Sequence, residues 1–399
     1  MSDTIIVYRK NNAVISAALS DSSLTAIKID DAENIYRSGN VFVGHVTKII
    51  GHLNAAYVDI GAEKPCYMEL KADAKYLTSS IHPDGDIHAG DDLVVQIVKE
   101  PIKTKPATVS PVISITKTHL VLSYSPKEKK IRFSSKIKDG DLKKKLTAAY
   151  NETVPEDYSV LFRTSVTEED YAGIRKDYDS ALARLDSVVA YASSRKKGSL
   201  IMEADPGYLS FIRENRSADI KKIVTDSADF YVRITDFTKD EAPELADKII
   251  FMNEPDSRLE NLYGMNGHFK ELTNHRIWLK SGAQIVIEPT EALVSVDINT
   301  AKASAELKNF RDGFMKINLE AAEELRKQLV LRNLSGIIMV DFINDKYHTR
   351  PELFDKVKEI FANDNNVKVE DITKLGLIEI TRMRKNSTTE EQIKKFSLL

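Results

Sequence analysis

Cysteine is nearly absent from this sequence: Cys66 is the only one among 399 residues. A single cysteine excludes an intramolecular disulfide and cannot supply the cysteine cluster of a structural zinc site, so we expect no bound zinc. Long apolar runs are absent too, and the first ten residues lack the basic head and apolar stretch of a secretory signal. We therefore expect a cytoplasmic protein that is not bound to a membrane.

Several catalytic signatures are also missing. The sequence contains no GxxxxGKS or GxxxxGKT phosphate loop, no HExxH motif and no GxSxG motif. It therefore lacks the defining residues of P-loop NTPases, zinc proteases and serine hydrolases. With 42% hydrophobic and 29% charged residues, the composition is that of a globular protein. A chain of this length has room for roughly two to four domains.

The net charge of −3 is weak evidence against a nucleic-acid partner, because most proteins that bind polyanions are basic overall. Basic residues are nevertheless clustered in one region. The cluster contains Lys127, Lys129, Lys130, Arg132, Lys136 and Lys138, and Lys143, Lys144 and Lys145 extend it. It has two interpretations, a channel that binds a polyanion or an ordinary solvated surface, and the second is at least as common.

The first of two acidic strand ends lies in residues 293–299, which read LVSVDIN. Side chains alternate along a strand, so Ser295, Asp297 and Asn299 are predicted on one face and the apolar residues on the other. The polar face then presents a carboxylate with an amide beside it.

The second acidic strand end lies in residues 336–342, a continuous apolar run that Asp341 closes. Such a run is typical of a strand covered on both faces. Apolar residues recur at helical spacing over 318–331 and predict a helix between the two strands. Strand, helix and strand in this order predict a parallel crossover unit, and sheets of this kind bind ligands beyond the carboxyl ends of their strands.

Asp297, Asn299 and Asp341 supply two carboxylates and an amide, with no His or Cys nearby in sequence. Oxygen donors of this kind suit a hard cation such as Mg²⁺ rather than zinc. A second interpretation stays open, in which Asp297 and Asn299 form a turn and Asp341 caps the next helix.

Sequence blocks around these residues carry a resemblance to a known family. The blocks are DINT (297–300), NLEAAEE (318–324), QLVLRNLSG (328–336) and VDFI (340–343), and matching segments continue over 281–293 and 376–384. In this order they resemble the catalytic segment of the ribonuclease E/G family, and few other families carry them together.

The resemblance implies an α+β multidomain fold. Residues 1–37 and 199–275 would form an RNase H-like subdomain, with residues 38–117 inserted as an OB-fold RNA-binding barrel. Residues 118–198 would form a 5′-sensor-like subdomain, and residues 276–399 a DNase I-like α/β catalytic domain. The residues themselves favour a small closed barrel in 38–117, where short apolar strands alternate with glycines at regular spacing.

The resemblance also implies RNA contacts on that barrel. Tyr57 and Tyr67 occupy the places of base-stacking aromatics, and Lys105 that of an RNA-contacting lysine. Stacking of a base on an aromatic ring contributes about 1–3 kcal/mol with little sequence preference. The alternative is that one tyrosine packs in the barrel wall with its hydroxyl outward.

Arg163 and Thr164 match a pair that senses a 5′-monophosphate in the family. An arginine can bind phosphate oxygens in bidentate fashion, and a threonine hydroxyl can donate to them. The family has a glycine earlier in this pocket, where Lys117 stands here. The sequence leaves open whether Lys117 blocks the pocket or strengthens it.

By the resemblance, Asp297, Asn299 and Asp341 are the catalytic residues. The two carboxylates would hold Mg²⁺, for which Mn²⁺ can substitute, and the ion would polarise the scissile phosphate and activate a water. Arg382 and Arg384 follow the last predicted strand and are candidates for substrate phosphate contacts, although basic strand ends are often plain surface.

We therefore expect a magnesium-dependent endoribonuclease that cleaves single-stranded, AU-rich RNA in rRNA maturation or mRNA decay. Its products would carry a 5′-phosphate and a 3′-hydroxyl. The alternative is a non-catalytic RNA-binding protein on the same scaffold. The sequence ends at Leu399, before the paired-cysteine motif of the family, so we do not expect the zinc-linked tetramer and leave the oligomeric state open.

Overall fold

The computed structural model describes residues 2–70, 76–78, 82, 86–101, 105–124, 130–191, 195–253, 258–300, 310–343, 350–362, 364, 366–383 and 387–399. The strands are β1 (Thr4–Lys10), β2 (Ala13–Ser20), β3 (Ser23–Asp31), β4 (Val41–Ile50), β5 (Ala55–Asp59), β6 (Cys66–Glu69), β7 (Asp92–Lys99), β8 (Thr108–Ser110), β9 (Ile113–Thr116), β10 (Leu120–Tyr124), β11 (Lys130–Phe133), β12 (Tyr158–Phe162), β13 (Leu200–Met202), β14 (Lys222–Thr225), β15 (Ile249–Phe251), β16 (Arg276–Trp278), β17 (Gln284–Pro289), β18 (Leu293–Asn299), β19 (Gly336–Asp341), β20 (Val367–Ile372) and β21 (Ile378–Arg382). The helices are α1 (Gly140–Asn151), α2 (Tyr171–Tyr191), α3 (Gly207–Glu214), α4 (Ala228–Glu241), α5 (Leu259–Leu262), α6 (Met265–Thr273), α7 (Phe310–Leu331), α8 (Arg350–Phe361) and α9 (Thr389–Lys395).

This mixed α+β chain divides into two compact units. The first unit comprises Met1–Ala32, Glu214–Arg233 and Lys248–Leu399, and the second comprises Glu33–Arg213 and Ile234–Asp247. No helix within the described part of the chain is long and apolar enough to cross a membrane.

The first unit contains a sheet of order β15-β14-β1-β2-β3. Strands β1, β2 and β3 form an antiparallel meander, and β14 pairs with β1 in parallel. Five consecutive residues of β1, from Thr4 to Tyr8, are buried, because this strand lies in the middle of the sheet. The partner that these N-terminal strands take from the later part of the chain is β14.

The second sheet of the first unit has the order β16-β17-β18-β19-β21-β20. β18 and β19 are parallel and connected through α7, as predicted. One face of the sheet packs on apolar residues of α7 and α8, and Val296, Ile338, Leu325 and Val357 all belong to this core.

The prediction that β19 is covered on both faces is wrong. Ile338 and Val340 are buried in the core, but Ile337 on the other face is 51% exposed. Among the residues that the structure describes, the helices of the core pack on one face of the sheet only, and the apolar character of the strand does not show this. The opposite face, which carries Asp341, is open as far as the described residues go.

The last helix lies away from the core of the second sheet. Ile393, Phe396 and Leu398 are buried in the same cluster as Ile6 of the N-terminal sheet. Gln392 Nε2 also donates to the backbone oxygen of Ile29 at 2.8 Å. Residues 389–398 thus pack against the N-terminal sheet. From the sequence they were grouped with the domain at 276–399.

The second unit contains a closed five-stranded barrel. The strands follow the order β4-β5-β6-β8-β7, and β7 pairs back to β4, with β13 added beside β4. Gly44 faces the barrel interior, where an added Cβ atom would lie 2.3 Å from Cγ1 of Val58. Any side chain at this position would therefore displace the barrel wall. The closed barrel predicted for residues 38–117 is thus present.

The second unit also contains a four-stranded sheet of order β11-β12-β10-β9. Helices α1 and α2 bury their apolar faces against it, through residues such as Leu146, Ile174, Tyr178 and Leu185. The apolar face of α2 therefore packs on this sheet.

Candidate functional site

Two acidic side chains lie side by side on the open face of the second sheet. The parallel register of β18 and β19 places Asp297 directly beside Asp341. Val296 and Ile298 are buried while Asp297 and Asn299 are exposed, so the predicted alternation of β18 is present. Neighbouring strands lie about 4.8 Å apart, which brings the two carboxylates within reach of a shared ligand.

An amide completes this acidic pair. Nδ2 of Asn299 donates to Oδ2 of Asp297 at 2.7 Å. This bond orients the Asp297 carboxylate, and its second oxygen and Asn299 Oδ1 accept no hydrogen bond from another side chain in the described part of the chain. The three predicted residues therefore lie together on one surface.

A buried clamp fixes the chain just beyond Asp341. Asn318 on α7 accepts a hydrogen bond from the Ile343 amide through Oδ1 and donates to the Ile343 carbonyl through Nδ2, both at 3.0 Å. Asn318 itself is buried. Because both backbone groups of Ile343 are held, α7 determines where the chain leaves β19. Sequence reasoning assigned no role to this asparagine.

The donor set of this site fits a hard divalent cation. Like charges directly opposite each other on neighbouring strands destabilise a sheet, and a bound cation would remove that repulsion. Carboxylate and amide oxygens are the donors that Mg²⁺ prefers. In the described part of the chain, no group of three or more His, Cys, Asp or Glu side chains could hold a metal ion, so this site depends on its amide as the third donor.

The two predicted stacking residues lie opposite each other on the barrel of the second unit. Tyr57 of β5 pairs directly with Tyr67 of β6. Both are half-buried, whereas their neighbours Val58 and Met68 point into the barrel core. Tyr57 and Tyr67 therefore lie on the outer side of the barrel wall, and their partial burial leaves both interpretations open, base stacking and packing in the wall with the hydroxyl outward.

Two lysines flank this aromatic pair. Lys105 is exposed and lies two residues before Ala107, whose carbonyl accepts the Tyr67 amide at 2.8 Å. Lys48 of β4 is exposed and pairs with Tyr57 across the strands. Sequence reasoning missed Lys48, because a register shift between Val46 and Lys48 decides which residue faces Tyr57.

The predicted phosphate-sensing residues lie beside Lys117. Nη1 of Arg163 donates to the carbonyl oxygens of Lys117, at 2.7 Å, and Thr118, at 3.3 Å. Thr164 is exposed. The Lys117 side chain is only 8% exposed, and its Nζ lies 2.9 Å from Oε1 of Glu241. The positive charge of Lys117 is therefore neutralised within the second unit.

The Arg382 side chain is largely buried and is held by other residues of the protein. Its side chain is 10% exposed, and Nη1 donates to the Leu334 carbonyl at 2.7 Å and to Asn333 Oδ1 at 3.2 Å. Burial lowers the pKa of this guanidinium, and the charge of Asp364 opposes that shift. These contacts favour a structural role over a phosphate contact. Arg384 lies outside the described residues.

The basic cluster has the properties of a solvated surface. Lys127 and Lys129 lie outside the described residues, and Lys130, Arg132, Lys136, Lys138, Lys144 and Lys145 are exposed. Lys145 is paired with Glu168 at 2.7 Å and Lys144 with Asp141 at 3.5 Å. Of the two interpretations, these ion pairs favour the ordinary surface for this part of the cluster.

Comparison with known proteins gives the site its context. The profile of the ribonuclease E/G family matches residues 114–385. Ribonuclease G of Haemophilus influenzae is 29% identical over 370 residues, which cover 88% of this chain and 73% of that protein. Ribonuclease G of Escherichia coli strain K12 is 27% identical over 368 residues, covering 88% and 74%.

A longer relative matches over a similar part of this chain. Ribonuclease E of a Nostoc species is 26% identical over 395 residues, covering 94% of this chain and 55% of that protein. The family profile spans more than half of the chain and includes Asp297, Asn299 and Asp341. The chain therefore belongs to the ribonuclease E/G family.

Proposed function

We propose that this protein is an endoribonuclease that cleaves single-stranded, AU-rich RNA with Mg²⁺ and leaves 5′-phosphate and 3′-hydroxyl ends. One observation carries the proposal: Asp297 and Asp341 are register partners on adjacent parallel strands, within the segment that matches the family. Through the family, we assign the activity to rRNA maturation or mRNA decay in the cytoplasm.

Each residue of the site has a specific task in this reaction. Asp297 and Asp341 bind Mg²⁺, or Mn²⁺ in its place, and Asn299 keeps the Asp297 carboxylate in its orientation. When bound, the ion supplies polarisation of the scissile phosphate and a more acidic water. Asn318 holds the chain at Ile343, two residues after Asp341, while the parallel register of β18 and β19 sets the spacing of the two carboxylates.

The barrel of the second unit supplies RNA affinity in this proposal. Tyr57 and Tyr67 offer two adjacent rings on which bases can stack, and Lys105 and Lys48 offer charge to the RNA backbone. Stacking and backbone charge both tolerate sequence variation, which fits a nuclease with many substrates. The closed five-stranded barrel supports an OB-fold assignment for this part.

The remaining subdomain assignments follow the same logic. A meander of three strands extended by two parallel strands supports an RNase H-like assignment for the N-terminal sheet. A mixed sheet with helices on one face and acidic strand ends on the other supports a DNase I-like assignment for residues 276–399. The four-stranded sheet, in which Arg163 directly follows the inner strand β12, is the candidate 5′-sensor subdomain.

The proposal is tested by substituting the carboxylates one at a time. We expect Asp297→Asn and Asp341→Asn to lower cleavage of an unstructured AU-rich RNA oligomer by at least about a thousandfold, because an amide cannot replace a charged ligand of the ion. RNA affinity, measured in EDTA, should stay nearly unchanged. Glu359→Gln, the same change of charge on α8, which packs on the other face of this sheet, is the matched control and should cleave normally.

Two results would contradict the proposal. Full turnover in either aspartate variant would remove the metal assignment. Binding of the oligomer without any magnesium-dependent cleavage by the wild-type protein would favour the alternative, a non-catalytic RNA-binding protein on the same scaffold.

A further inference from the structure

The open face of the second sheet extends beyond the acidic pair to its edge strand. β16 is that edge, and both Arg276 and Trp278 on it are exposed, with 57% of the Trp278 surface accessible. Ile277 between them packs against the core instead. The two exposed side chains therefore point to the face opposite the helices.

The strand register shows that this is the face of the acidic pair. Arg276 pairs with Val286, which pairs with Asp297, and Asp297 in turn pairs with Asp341. Trp278 pairs with Gln284, which pairs with Asn299. Residues in register across a sheet share a face. Arg276 therefore lies in the same cross-strand row as Asp297 and Asp341, and Trp278 lies in the neighbouring row with Asn299.

The spacing suits one neighbouring nucleotide. Two strand separations, about 10 Å in total, lie between β16 and β18. A phosphate at the acidic pair would leave the adjoining sugar and base free to extend along the row towards Trp278. A large aromatic side chain exposed to this degree is uncommon, and such side chains mark binding sites.

We infer that Trp278 and Arg276 form a subsite for the nucleotide adjacent to the scissile phosphate, with the indole stacking on its base and the guanidinium contacting the RNA backbone. This inference rests on the proposed function, because RNA is the ligand that the acidic pair would cleave. The indole offers a flat ring without base specificity, and the guanidinium offers charge-assisted hydrogen bonds to phosphate oxygens. Trp278 is a positioning residue, since it does not reach the reacting phosphate.

The chain permits a direct optical test, because Trp278 is its only tryptophan. We expect an unstructured AU-rich RNA oligomer, added to the intact protein in EDTA, to quench tryptophan fluorescence saturably. An oligomer with abasic sugars throughout should bind through its backbone but quench little. This readout needs no cleavage and therefore does not depend on the metal site.

Kinetics of substituted proteins form the second part of the test. We expect Trp278→Ala to lower kcat/KM by about tenfold, mainly through KM, and Trp278→Phe to retain most of the activity, because loss of one stacking contact has this magnitude. Arg276→Gln should weaken RNA binding. It should also lower the slope of log affinity against log salt concentration by about one, the value for one phosphate contact. Leu375→Ala, at a residue 83% exposed in the turn before β21, is the control and should behave as wild type.

The outcomes separate this inference from the proposed function. Quenching by RNA without any cleavage would support the subsite and contradict the nuclease. Cleavage that persists with no quenching and with unchanged kcat/KM in Trp278→Ala would overturn the subsite and leave the nuclease standing. Equal quenching by the abasic oligomer, or no RNA binding at all, would also overturn it.

Discussion

At the scale of single residues, the second unit contains charges that are buried and mutually paired. Arg213 is nearly inaccessible and binds Glu241 at 2.8 Å and Asp205 at 2.7 Å. Asp205 also binds Arg184 at 3.1 Å, and Glu241 binds Lys117. Removing one partner of a buried pair leaves an uncompensated charge, which is costly. Lys117 is therefore one member of a network rather than an isolated cation.

This network predicts acid sensitivity of the second unit. Burial raises the pKa of Asp205, but hydrogen bonds and charges from Arg213 and Arg184 outweigh it and hold that pKa below its usual 3.8. A carboxylate whose pKa is lower when folded stabilises the protein above the unfolded-state pKa and loses this contribution as pH falls below it. We expect the free energy of unfolding to fall as the pH drops below about 5 and to keep falling until Asp205 is protonated in the folded state, at a pH below its usual pKa of 3.8.

Asp205→Asn is the matched variant for this prediction. At pH 7 this substitution should lower the free energy of unfolding by about 2 kcal/mol, because the charged hydrogen bonds of Asp205 are lost. The free energy of unfolding of the variant should also fall less steeply towards low pH than that of the wild type. Unfolding of this unit can be followed through Cys66, a buried thiol of the barrel whose pKa burial raises to about 11. An identical pH dependence in both proteins would contradict the assignment.

The sensing of a 5′-phosphate stays a prediction at this scale. If Arg163 and Thr164 bind the terminal phosphate, a 5′-monophosphorylated oligomer should be cleaved faster than its 5′-hydroxyl counterpart, and Arg163→Ala should abolish the difference. A ratio close to one in the wild type would mean that Lys117, which is paired with Glu241 beside Arg163, has closed this function. A ratio of ten or more, about 1.4 kcal/mol, would show a working sensor.

Sequence alone predicted the acidic residues but not their surroundings. Alternation placed Asp297 and Asn299 on one face, since the period of a strand is a local property. The burial of Arg382 depends on Asn333 and Leu334, about fifty residues earlier, and the side chain carries no signal of it. Long-range partners of this kind decide whether a basic residue faces solvent.

At the scale of elements, α9 begins with a complete capping box, which is a local sequence motif for the start of a helix. Thr388 accepts a hydrogen bond from the Glu391 amide at 3.2 Å, and Glu391 accepts one from the Thr388 amide at 2.9 Å. This reciprocal capping box satisfies two of the backbone donors at the start of the helix. Thr389 Oγ1 also donates to the Leu331 carbonyl at 2.7 Å and ties α9 to the end of α7.

Substitution of the cap tests how much α9 contributes to the first unit. We expect Thr388→Ala to lower the free energy of unfolding by about 1 kcal/mol, because one helical donor loses its acceptor. Thr388→Ser keeps the oxygen and should lose little. Fluorescence of Trp278 during urea unfolding reports on this unit. Equal losses in both variants would show that the methyl group, rather than the cap, stabilises the helix.

Long-range strand pairing is the part of the fold that the local sequence patterns of single elements did not predict. The crossover from β18 through α7 to β19 follows from local periodicity and is present. The antiparallel insertion of β21 between β19 and β20 brings together strands from separate parts of the chain. The open face of β19 likewise results from the packing of α7 and α8 on one side, a tertiary fact with no counterpart in the strand's composition.

At the scale of the whole molecule, the two ends of the described chain meet in one core. Lys10 Nζ donates to the Leu398 carbonyl at 2.9 Å, and Asn11 Nδ2 donates to the Phe396 carbonyl at 2.8 Å. Ile393 and Leu398 are buried beside residues of β1 and β2. The stability of the N-terminal sheet therefore depends on the last eleven residues.

Removal of residues 389–399 should destabilise the first unit by on the order of 5 kcal/mol, since several buried apolar side chains are lost together. The second unit should remain folded, with Cys66 still protected from thiol reagents while Trp278 reports loss of structure. Leu399→Ala, at a side chain that is 58% exposed, is the control and should be stable. Loss of Cys66 protection together with the Trp278 change would contradict the expectation that the second unit stays folded in this variant.

The pairing of β1 with β14 has a consequence for synthesis on the ribosome. Thr4 pairs with Lys222, so nearly all of the second unit is translated before the first strand can meet its parallel neighbour. Pairing of two strands that are so far apart in the sequence is slow. Until it happens, the unpaired edge of the apolar strand β1 can associate with other chains. A nascent chain halted near residue 213 should thus contain a folded barrel together with a three-stranded N-terminal meander whose β1 edge is unpaired, and we expect chaperones to bind this edge.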